Sequence, residues 1–271
     1  MKPSTNYLDF VQNHINPIFV SGCPRSGTTI CHALLCTSPN VNDYVPESSF
    51  LTGILNNFVT GLNSDEHNVD YFGSKQNFID YGLEQIATLI MHSWLRFESP
   101  EFLCLKDPNM YAHMDWLHQA FPRVHYVFTI RDPAEVISSR VSVERKYGRT
   151  VDDNVMINLS SELVKYFDFL IALHQNHADR LTIVHYDEIM SGNIGHKFSK
   201  ISNSITINNA DVWKSKFFHA FNEQSPWISK NYGVSVENAQ KSPIILDEGQ
   251  INIVNTICDD AYTQSCKIMN H

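Results

Sequence analysis

Pro17-Ile-Phe-Val-Ser-Gly-Cys-Pro-Arg-Ser-Gly-Thr-Thr29 is the stretch that decides the fold of this chain. The apolar run at residues 18–20 lies between a proline and a glycine, which predicts a short buried strand. Gly22 and Gly27 allow the backbone to turn sharply, because neither carries a Cβ. Apolar residues then recur at helical spacing over 30–34. The stretch therefore predicts a strand, a tight loop and the start of a helix.

The predicted loop is a candidate anion site. A loop that runs into a helix N-terminus directs free N–H groups at one point, where partial positive charge favours phosphate or sulfate. Arg25 adds a permanent cation with a fork of donors, and Thr28 and Thr29 add hydroxyl groups. A turn that binds nothing would fit the same pattern, but it would not need these polar side chains.

The loop is similar to a Walker A motif but departs from it at one position. Gly22 and Gly27 have the Walker spacing, in which a lysine follows the second glycine. Thr28 stands where that lysine belongs. The substitution argues against a nucleotide kinase or another NTPase, which remains the first alternative function.

Further strands are predicted at 41–45, 102–106, 125–130 and 181–186, separated by helices at 50–59, 78–97, 110–121 and 152–177, with a last helix through 251–261. The polar segment 61–76 reads as a surface loop. After the strand at 125–130, Asp132 fits a helix N-cap, Pro133 the first helical position and Glu135 a capping-box partner. Alternation of strands and helices predicts an α/β fold, with a P-loop-like central parallel sheet flanked by helices on both faces.

Composition limits the class of protein. The chain has 271 residues, 43% of them hydrophobic, and a net charge of −9, which disfavours nucleic-acid binding. We interpret it as a single domain over 1–271, with an N-terminal extension at 1–14 and a mainly helical and loop part at 192–271. The six cysteines form no CxxC pair, which indicates core thiols in a reducing compartment. We find no signal peptide, no membrane span and no metal-binding spacing among the thirteen histidines.

Several polar side chains follow predicted strands. Glu47 comes after the strand at 41–45, Lys106 and Arg131 end or follow two others, and Tyr186 ends the fourth. Ligands of parallel α/β sheets bind beyond the carboxyl ends of the strands. We therefore expect these side chains to converge on the loop.

The segment Pro24-Arg-Ser-Gly-Thr-Thr29 resembles the 5′-phosphosulfate loop of sulfotransferases that use 3′-phosphoadenosine 5′-phosphosulfate (PAPS). Leu103-Cys-Leu-Lys-Asp-Pro108, Phe121-Pro and the later Arg131-Asp132 are similar to the protein-tyrosine and bacterial branches of that family. The resemblance runs from Ile18 to Ile189. It implies cofactor-binding residues Cys23, Pro24, Arg25, Ser26, Gly27, Thr28 and Thr29, with Arg131 and Ser139 on the 3′-phosphate and Tyr186 near the adenosine.

The resemblance also implies catalytic roles. Glu47 would be the base, and Arg25 and Lys106 would stabilise charge on the bridging and leaving oxygens. A base works best with its pKa raised by partial burial. Alternatives remain open: Glu47 as a helix cap, His113 or His32 as the base, Lys106 as a surface cation, Arg131 paired with Asp107 or Asp132, and Tyr186 as a core residue.

The implied reaction moves a sulfonate group from PAPS to a hydroxyl of a carbohydrate, small molecule or tyrosine, and releases adenosine 3′,5′-bisphosphate (PAP) without a metal. A non-catalytic PAPS-binding protein is the second alternative. Family members of the Golgi carry an N-terminal anchor, so its apparent absence here favours the cytoplasm. Lys230, before Asn-Tyr-Gly233, is a candidate for the family's late basic loop. The oligomeric state is not readable.

Overall fold

A four-stranded parallel sheet forms the centre of the chain. The computed structural model describes residues 7–213, 227 and 233–269. The strands are β1 (Asn16–Gly22), β2 (Phe102–Lys106), β3 (His125–Ile130) and β4 (Leu181–His185), in the spatial order β2-β1-β3-β4. β1 lies between β2 and β3, with Val20 opposite Lys106 and Gly22 opposite Thr129. The carboxyl ends of all four strands therefore meet at one edge.

Both faces of the sheet are covered. On β1, Phe19 faces one hydrophobic cluster, whereas Ile18 and Val20 face the other. All three side chains are fully buried. Alternation of side chains along a strand produces this division, and two buried faces explain the near-continuous apolar run.

The helices are α1 (Tyr7–His14), α2 (Thr28–Leu35), α3 (Ser49–Leu62), α4 (Asp65–Phe72), α5 (Lys75–Arg96), α6 (Met114–Ala120), α7 (Pro133–Lys146), α8 (Asp153–His177), α9 (Tyr186–Met190), α10 (Gly195–Phe198) and α11 (Glu248–Ile268). The predicted α/β class, with a P-loop-like parallel sheet between helices, is confirmed. No helix in the described ranges is long and apolar enough to cross a bilayer.

The predicted strand at 41–45 is wrong. Only Val41 makes a bridge, to Phe102. At the next residue, the Asn42 Oδ1 atom accepts the Cys104 backbone N–H at 2.6 Å, so a side chain takes the place of a strand's ladder bond. The segment continues without regular structure to Ser48.

The predicted surface loop at 61–76 is also wrong in part, because it contains α4. Aromatic packing holds this short polar helix: the Phe72 ring lies 5.0 Å from Phe78 and 5.3 Å from Tyr81. Gly73 ends the helix in the left-handed region, with φ of 75°. The segment was predicted as a loop because it is polar, whereas its aromatic residue Phe72 packs on two aromatic residues of α5.

Two local boundaries and one helix cap also differ from expectation. The helix predicted over 110–121 begins as a 3₁₀ turn at Pro108–His113 before α6. The fourth strand ends at His185, so Tyr186 begins α9. Asp132 caps α7 as predicted, but the Glu135 carboxylate pairs with Arg131 rather than closing a capping box.

Candidate active site

The loop between β1 and α2 has the geometry of an anion cradle. Gly27 immediately precedes α2 with φ of 105°, and a Cβ there would lie 2.6 Å from the Tyr186 ring. Arg25 also has a positive φ, 79°, which is uncommon for a residue with a side chain. Backbone of this kind concentrates at functional sites. Because the first N–H groups of a helix lack intrahelical partners, the start of α2 is open to an anion.

A cavity of about 570 Å³ lies at the carboxyl edge of the sheet. Its walls include Pro24, Arg25, Gly27, Thr28, Thr29, Tyr44, Pro46, Glu47, Ser49, Lys106, Pro108, Asn109, Arg131, Tyr186, Met190, Trp213, Trp227, Val234 and Val236. A smaller cavity of about 310 Å³ lies at the opposite, amino ends of β3 and β4, around His125 and Leu181. The larger cavity is the candidate site, because it contains the loop and the strand-end cations.

Glu47 and Lys106, which both line this cavity, form an ion pair. The Lys106 Nζ atom donates to Glu47 Oε1 at 2.6 Å and to Thr29 Oγ1 at 3.2 Å. Lys106 is only 1% exposed, so it is no surface cation, and burial lowers its pKa while the Glu47 carboxylate opposes that shift. The Glu47 side chain is 52% exposed, rather than partly buried as expected. The pair joins the loop, β2 and the segment before α3.

The position of Glu47 is fixed by the hydrogen bonds of the next residue, Ser48, because no strand precedes it. Ser48 donates from its backbone N–H to the Lys106 carbonyl at 2.8 Å and from its hydroxyl to the same oxygen at 3.1 Å. Ser48 is the N-cap of α3, with no side-chain cap bond in the described structure. Glu47 therefore pairs with lysine instead of capping the helix.

Arg131 and Tyr186 lie together on the other side of the loop. The Arg131 guanidinium stacks 4.0 Å from the centroid of the Tyr186 ring and donates to the Arg25 carbonyl at 3.2 Å. Its ion pair is with Glu135, at 2.7 Å, and not with Asp107 or Asp132. Both aspartates instead accept backbone N–H groups at helix starts. Tyr186 is buried but lines the cavity, so it combines packing with access to a ligand.

Ser139 is connected to this group through Arg25. The Arg25 Nε atom donates to Ser139 Oγ at 2.9 Å, and its Nη1 atom donates to the Trp227 carbonyl at 2.8 Å. Arg25 therefore links Ser139 to Arg131, whose guanidinium donates to the Arg25 carbonyl. The two arginines line the cavity, whereas Ser139 is not among its described wall residues. Burial lowers the pKa of Arg25, and the positive charge of the neighbouring Arg131 lowers it further. Such crowding of cations is typical of a site built for an anion.

Cys23 and Ser26 belong to the loop, but their side chains face inward. Cys23 is 3% exposed, and burial raises the pKa of its thiol to about 12. The Ser26 hydroxyl donates to the Cys23 carbonyl at 2.7 Å and contacts Thr129 Oγ1 at 2.6 Å. The Ser26 backbone N–H also donates to the Cys23 carbonyl, at 3.0 Å, so both residues shape the turn rather than face a ligand.

The two candidate histidine bases are engaged elsewhere. His113 Nε2 lies 2.8 Å from Asn56 Oδ1, and burial lowers its pKa. His32 Nε2 lies 3.2 Å from the Cys104 carbonyl, beneath α2. Neither is among the described residues that line the cavity, whereas Glu47 is.

The C-terminal third supplies wall residues that sequence reasoning missed. Trp213 and Trp227 line the cavity, and Trp213 contacts Tyr44 edge-on at 5.9 Å. Lys241 pairs with Glu135 at 3.1 Å and Asp187 at 2.6 Å, behind Arg131. In the sequence, the feature that could have indicated these wall residues is the presence of isolated tryptophans in segments without periodic pattern. Lys230, the predicted late basic residue, lies outside the described residues.

The fold and the cavity define an α/β protein with a candidate anion site at the carboxyl edge of its parallel sheet. A family model described as the sulfotransferase family matches residues 17–196. The chain therefore belongs to the sulfotransferase family, and the predicted family and enzyme class are confirmed.

Individual relatives agree with this assignment. A Caenorhabditis briggsae protein, provisionally assigned as a protein-tyrosine sulfotransferase, is 24% identical over 246 residues, covering 77% of this chain and 82% of that protein. Protein-tyrosine sulfotransferase 1 of Danio rerio is 26% identical over 138 residues, which cover 49% of this chain but only 38% of the relative. The solved sulfotransferase domain from the curacin biosynthetic pathway superposes with a TM-score of 0.51 at 13% identity, over 89% of this chain and 97% of that domain. That last likeness concerns the fold alone.

Proposed function

We propose that this chain transfers a sulfuryl group from PAPS to an acceptor hydroxyl and releases PAP. The observation that carries the proposal is the shared cavity, in which the loop of Arg25, Thr28 and Thr29 faces both the Glu47–Lys106 pair and Arg131. The loop residues suit a phosphosulfate group, because a helix N-terminus with added donors binds anions. Glu47 and Lys106 suit proton transfer and stabilisation of charge, and Arg131 suits a second phosphate.

Donor binding follows from the placement of the cations. The 5′-phosphosulfate would lie at the start of α2, against the free N–H groups and the two threonine hydroxyls. The 3′-phosphate would lie against Arg131 and Ser139, which Arg25 connects: Arg25 donates to Ser139 Oγ at 2.9 Å, and Arg131 donates to the Arg25 carbonyl at 3.2 Å. The adenosine would then lie near Tyr186, whose ring contacts the Arg131 guanidinium.

In the transfer step, the acceptor oxygen forms a bond to sulfur as the bond from sulfur to the bridging oxygen breaks. The acceptor proton passes to the Glu47 carboxylate, and PAP leaves with the bridging oxygen. Lys106 is poised to move its hydrogen bond from Glu47 to that oxygen, because it lies between Glu47 and Thr29. Preorganised cations of this kind stabilise developing charge without reorganisation.

The acceptor remains a choice among a carbohydrate, a small molecule and a tyrosine. Tyr44, Pro46, Trp213 and Val236 give the cavity apolar and aromatic walls beside Glu47. Such walls position the acceptor hydroxyl beside Glu47.

A labelled-donor screen tests the proposed function. With PAPS labelled in its sulfonate group, we expect label to move to at least one hydroxyl compound from panels of phenols, sugars and tyrosine peptides. Heat-denatured protein is the blank. Phosphate transfer from ATP and magnesium to the same panels, with no sulfuryl transfer, would support the kinase alternative and contradict the proposal.

Arg131→Ala should weaken PAP binding by about 2–3 kcal/mol, the scale of removing a charge-assisted hydrogen bond from a partly desolvated site. This corresponds to about 30- to 150-fold in Kd. Glu135 would keep Lys241 as a partner at 3.1 Å, so the variant leaves no isolated buried charge. Calorimetric titration measures the change.

Two controls separate recognition of the 3′-phosphate from a structural effect. Adenosine 5′-phosphosulfate lacks that phosphate and should bind wild type and Arg131→Ala almost alike. Arg149→Ala removes an exposed cation that pairs with Glu144, and it should leave PAP affinity unchanged. Equal losses for PAP and adenosine 5′-phosphosulfate would show that Arg131 supports the fold instead.

We also propose that the chain works in a reducing compartment, such as the cytoplasm. All six cysteines are free, and Cys23, Cys31, Cys104 and Cys258 are buried. Free buried thiols are typical of proteins in reducing compartments.

A further inference from the structure

Three potential metal ligands meet between α2 and β2, outside the described walls of the larger cavity. His32 and Cys36 are one helical turn apart, at the end of α2, and Cys104 is in the middle of β2. One imidazole nitrogen of His32 and the two sulfur atoms all lie within 4.8 Å of one another. Spacing of i and i+4 on a helix is a common way to present two ligands to one ion.

The His32 ring is oriented as a metal ligand would be. Its Nε2 atom lies 3.2 Å from the Cys104 carbonyl oxygen, which can only accept, so Nε2 carries the proton. The neutral ring then has a lone pair on Nδ1. That atom is buried and has no hydrogen-bond partner in the described residues. Metal-ligating histidines characteristically donate their second N–H to a backbone carbonyl or carboxylate.

The surroundings hold the ligands in place. The Asn42 side chain accepts the Cys104 backbone N–H at 2.6 Å and donates to the Cys104 carbonyl at 3.1 Å. The Tyr44 ring packs 5.2 Å from the His32 ring. Cys36 is partly exposed, whereas the other two ligands are buried, so an ion has a route from solvent through Cys36.

We propose that His32, Cys36 and Cys104 form a zinc site. Two thiolates and an imidazole are ligands that Zn²⁺ prefers, with water available as the fourth. Zn–S bonds of about 2.3 Å in a tetrahedron put sulfur atoms roughly 3.8 Å apart. The corresponding N···S separation is about 3.5 Å, so a cluster whose atoms lie within 4.8 Å of one another contracts by no more than about 1.3 Å to reach that geometry.

Bound zinc would connect the two elements that present the candidate site. Cys104 is two residues before Lys106, and His32 is one turn after Thr29, whose hydroxyl Lys106 contacts. The ion would therefore fasten the helix of the anion loop to the strand that carries the lysine. It takes no part in the transfer, and the inference does not depend on the proposed function.

Cobalt titration tests the site, with Co²⁺ as the spectroscopic substitute for Zn²⁺ and a phosphine reductant to keep both thiols reduced. Wild-type protein should show thiolate-to-cobalt charge transfer and visible bands of tetrahedral intensity, saturating at one equivalent and disappearing on addition of Zn²⁺. Cys36→Ser should abolish the charge-transfer band or bind at least 10-fold more weakly. Cys266→Ser, which removes another partly exposed cysteine, should match wild type.

X-ray absorption of the zinc-loaded wild type gives a measurement independent of any variant. The proposal expects a shell of two sulfur atoms and low-Z ligands that include one imidazole. A shell without sulfur, no charge-transfer band in wild type, or an equal band in a folded Cys36→Ser protein would each overturn it.

Discussion

Glu47→Gln is expected to lower kcat for sulfuryl transfer by about 10²- to 10⁴-fold, the contribution of a positioned general base. An acceptor hydroxyl does not ionise at neutral pH, so its proton must leave as the new S–O bond forms. Glutamine keeps the shape of Glu47 and an oxygen that can accept from Lys106 Nζ, now 2.6 Å away, but it lacks the basicity. Affinity for PAP should therefore change little, whereas the melting temperature should fall, because the buried Lys106 ammonium loses its counter-ion. Steady-state kinetics with labelled PAPS measures the effect.

Glu162→Gln is the matched control. Glu162 is 59% exposed and also forms an ion pair, with Arg140, but it is outside the described walls of the cavity. Its replacement should leave kcat within about twofold, since exposed ion pairs contribute little. Near-normal turnover by Glu47→Gln, together with a collapse for His113→Ala, would transfer the base role to His113.

Lys106→Met is expected to lower kcat by about 10²- to 10³-fold, the scale of removing one preorganised donor that stabilises charge in a transition state. The free energy of unfolding, unlike kcat, should not fall. Burial lowers the pKa of Lys106, which means that the charged form is costly in its folded environment. Methionine removes that cost, and the half-exposed Glu47 carboxylate left behind stays solvated. We expect the free energy of unfolding to stay level or rise.

Lys197→Met is the control for replacing a buried lysine. Lys197 is 7% exposed at its side chain, pairs with Glu188 at 3.5 Å and lines the smaller cavity. Its replacement should leave kcat unchanged. A Lys106→Met protein that turns over normally, or that is inactive only because it unfolds, would remove Lys106 from the catalytic proposal.

The sequence predicted the sheet well where strands are short apolar runs between turn residues. β2, β3 and the start of β4 follow this pattern, and so does β1 with its glycine loop. The spatial order β2-β1-β3-β4 could not be predicted, because pairing depends on contacts distant in the chain. The strand predicted at 41–45 was wrong for a local reason. Asn42 forms a hydrogen bond to β2 through its side chain, and hydrophobic periodicity does not detect such a bond.

The candidate site was predictable where a polar residue follows a strand. Lys106 and Arg131 were found in this way, and parallel strands bring their ends together. The partners of these cations were not predictable. Glu135 rather than Asp132 pairs with Arg131, and Arg25 turns toward Ser139, because side-chain direction depends on packing across elements. The His32 cluster was missed for a similar reason, since its third ligand is on a distant strand.

Calorimetric titration of the wild-type chain with PAP, and separately with ATP and magnesium, tests the central claim most directly. A cavity with Thr28 in the Walker lysine position, and with the Arg25 and Arg131 guanidinium groups in its wall for a 3′-phosphate, should favour PAP. The account predicts one PAP bound per chain, with a lower Kd than ATP–magnesium and a larger rise in melting temperature at equal concentration. ATP–magnesium binding as tightly as PAP, or more tightly, would contradict it.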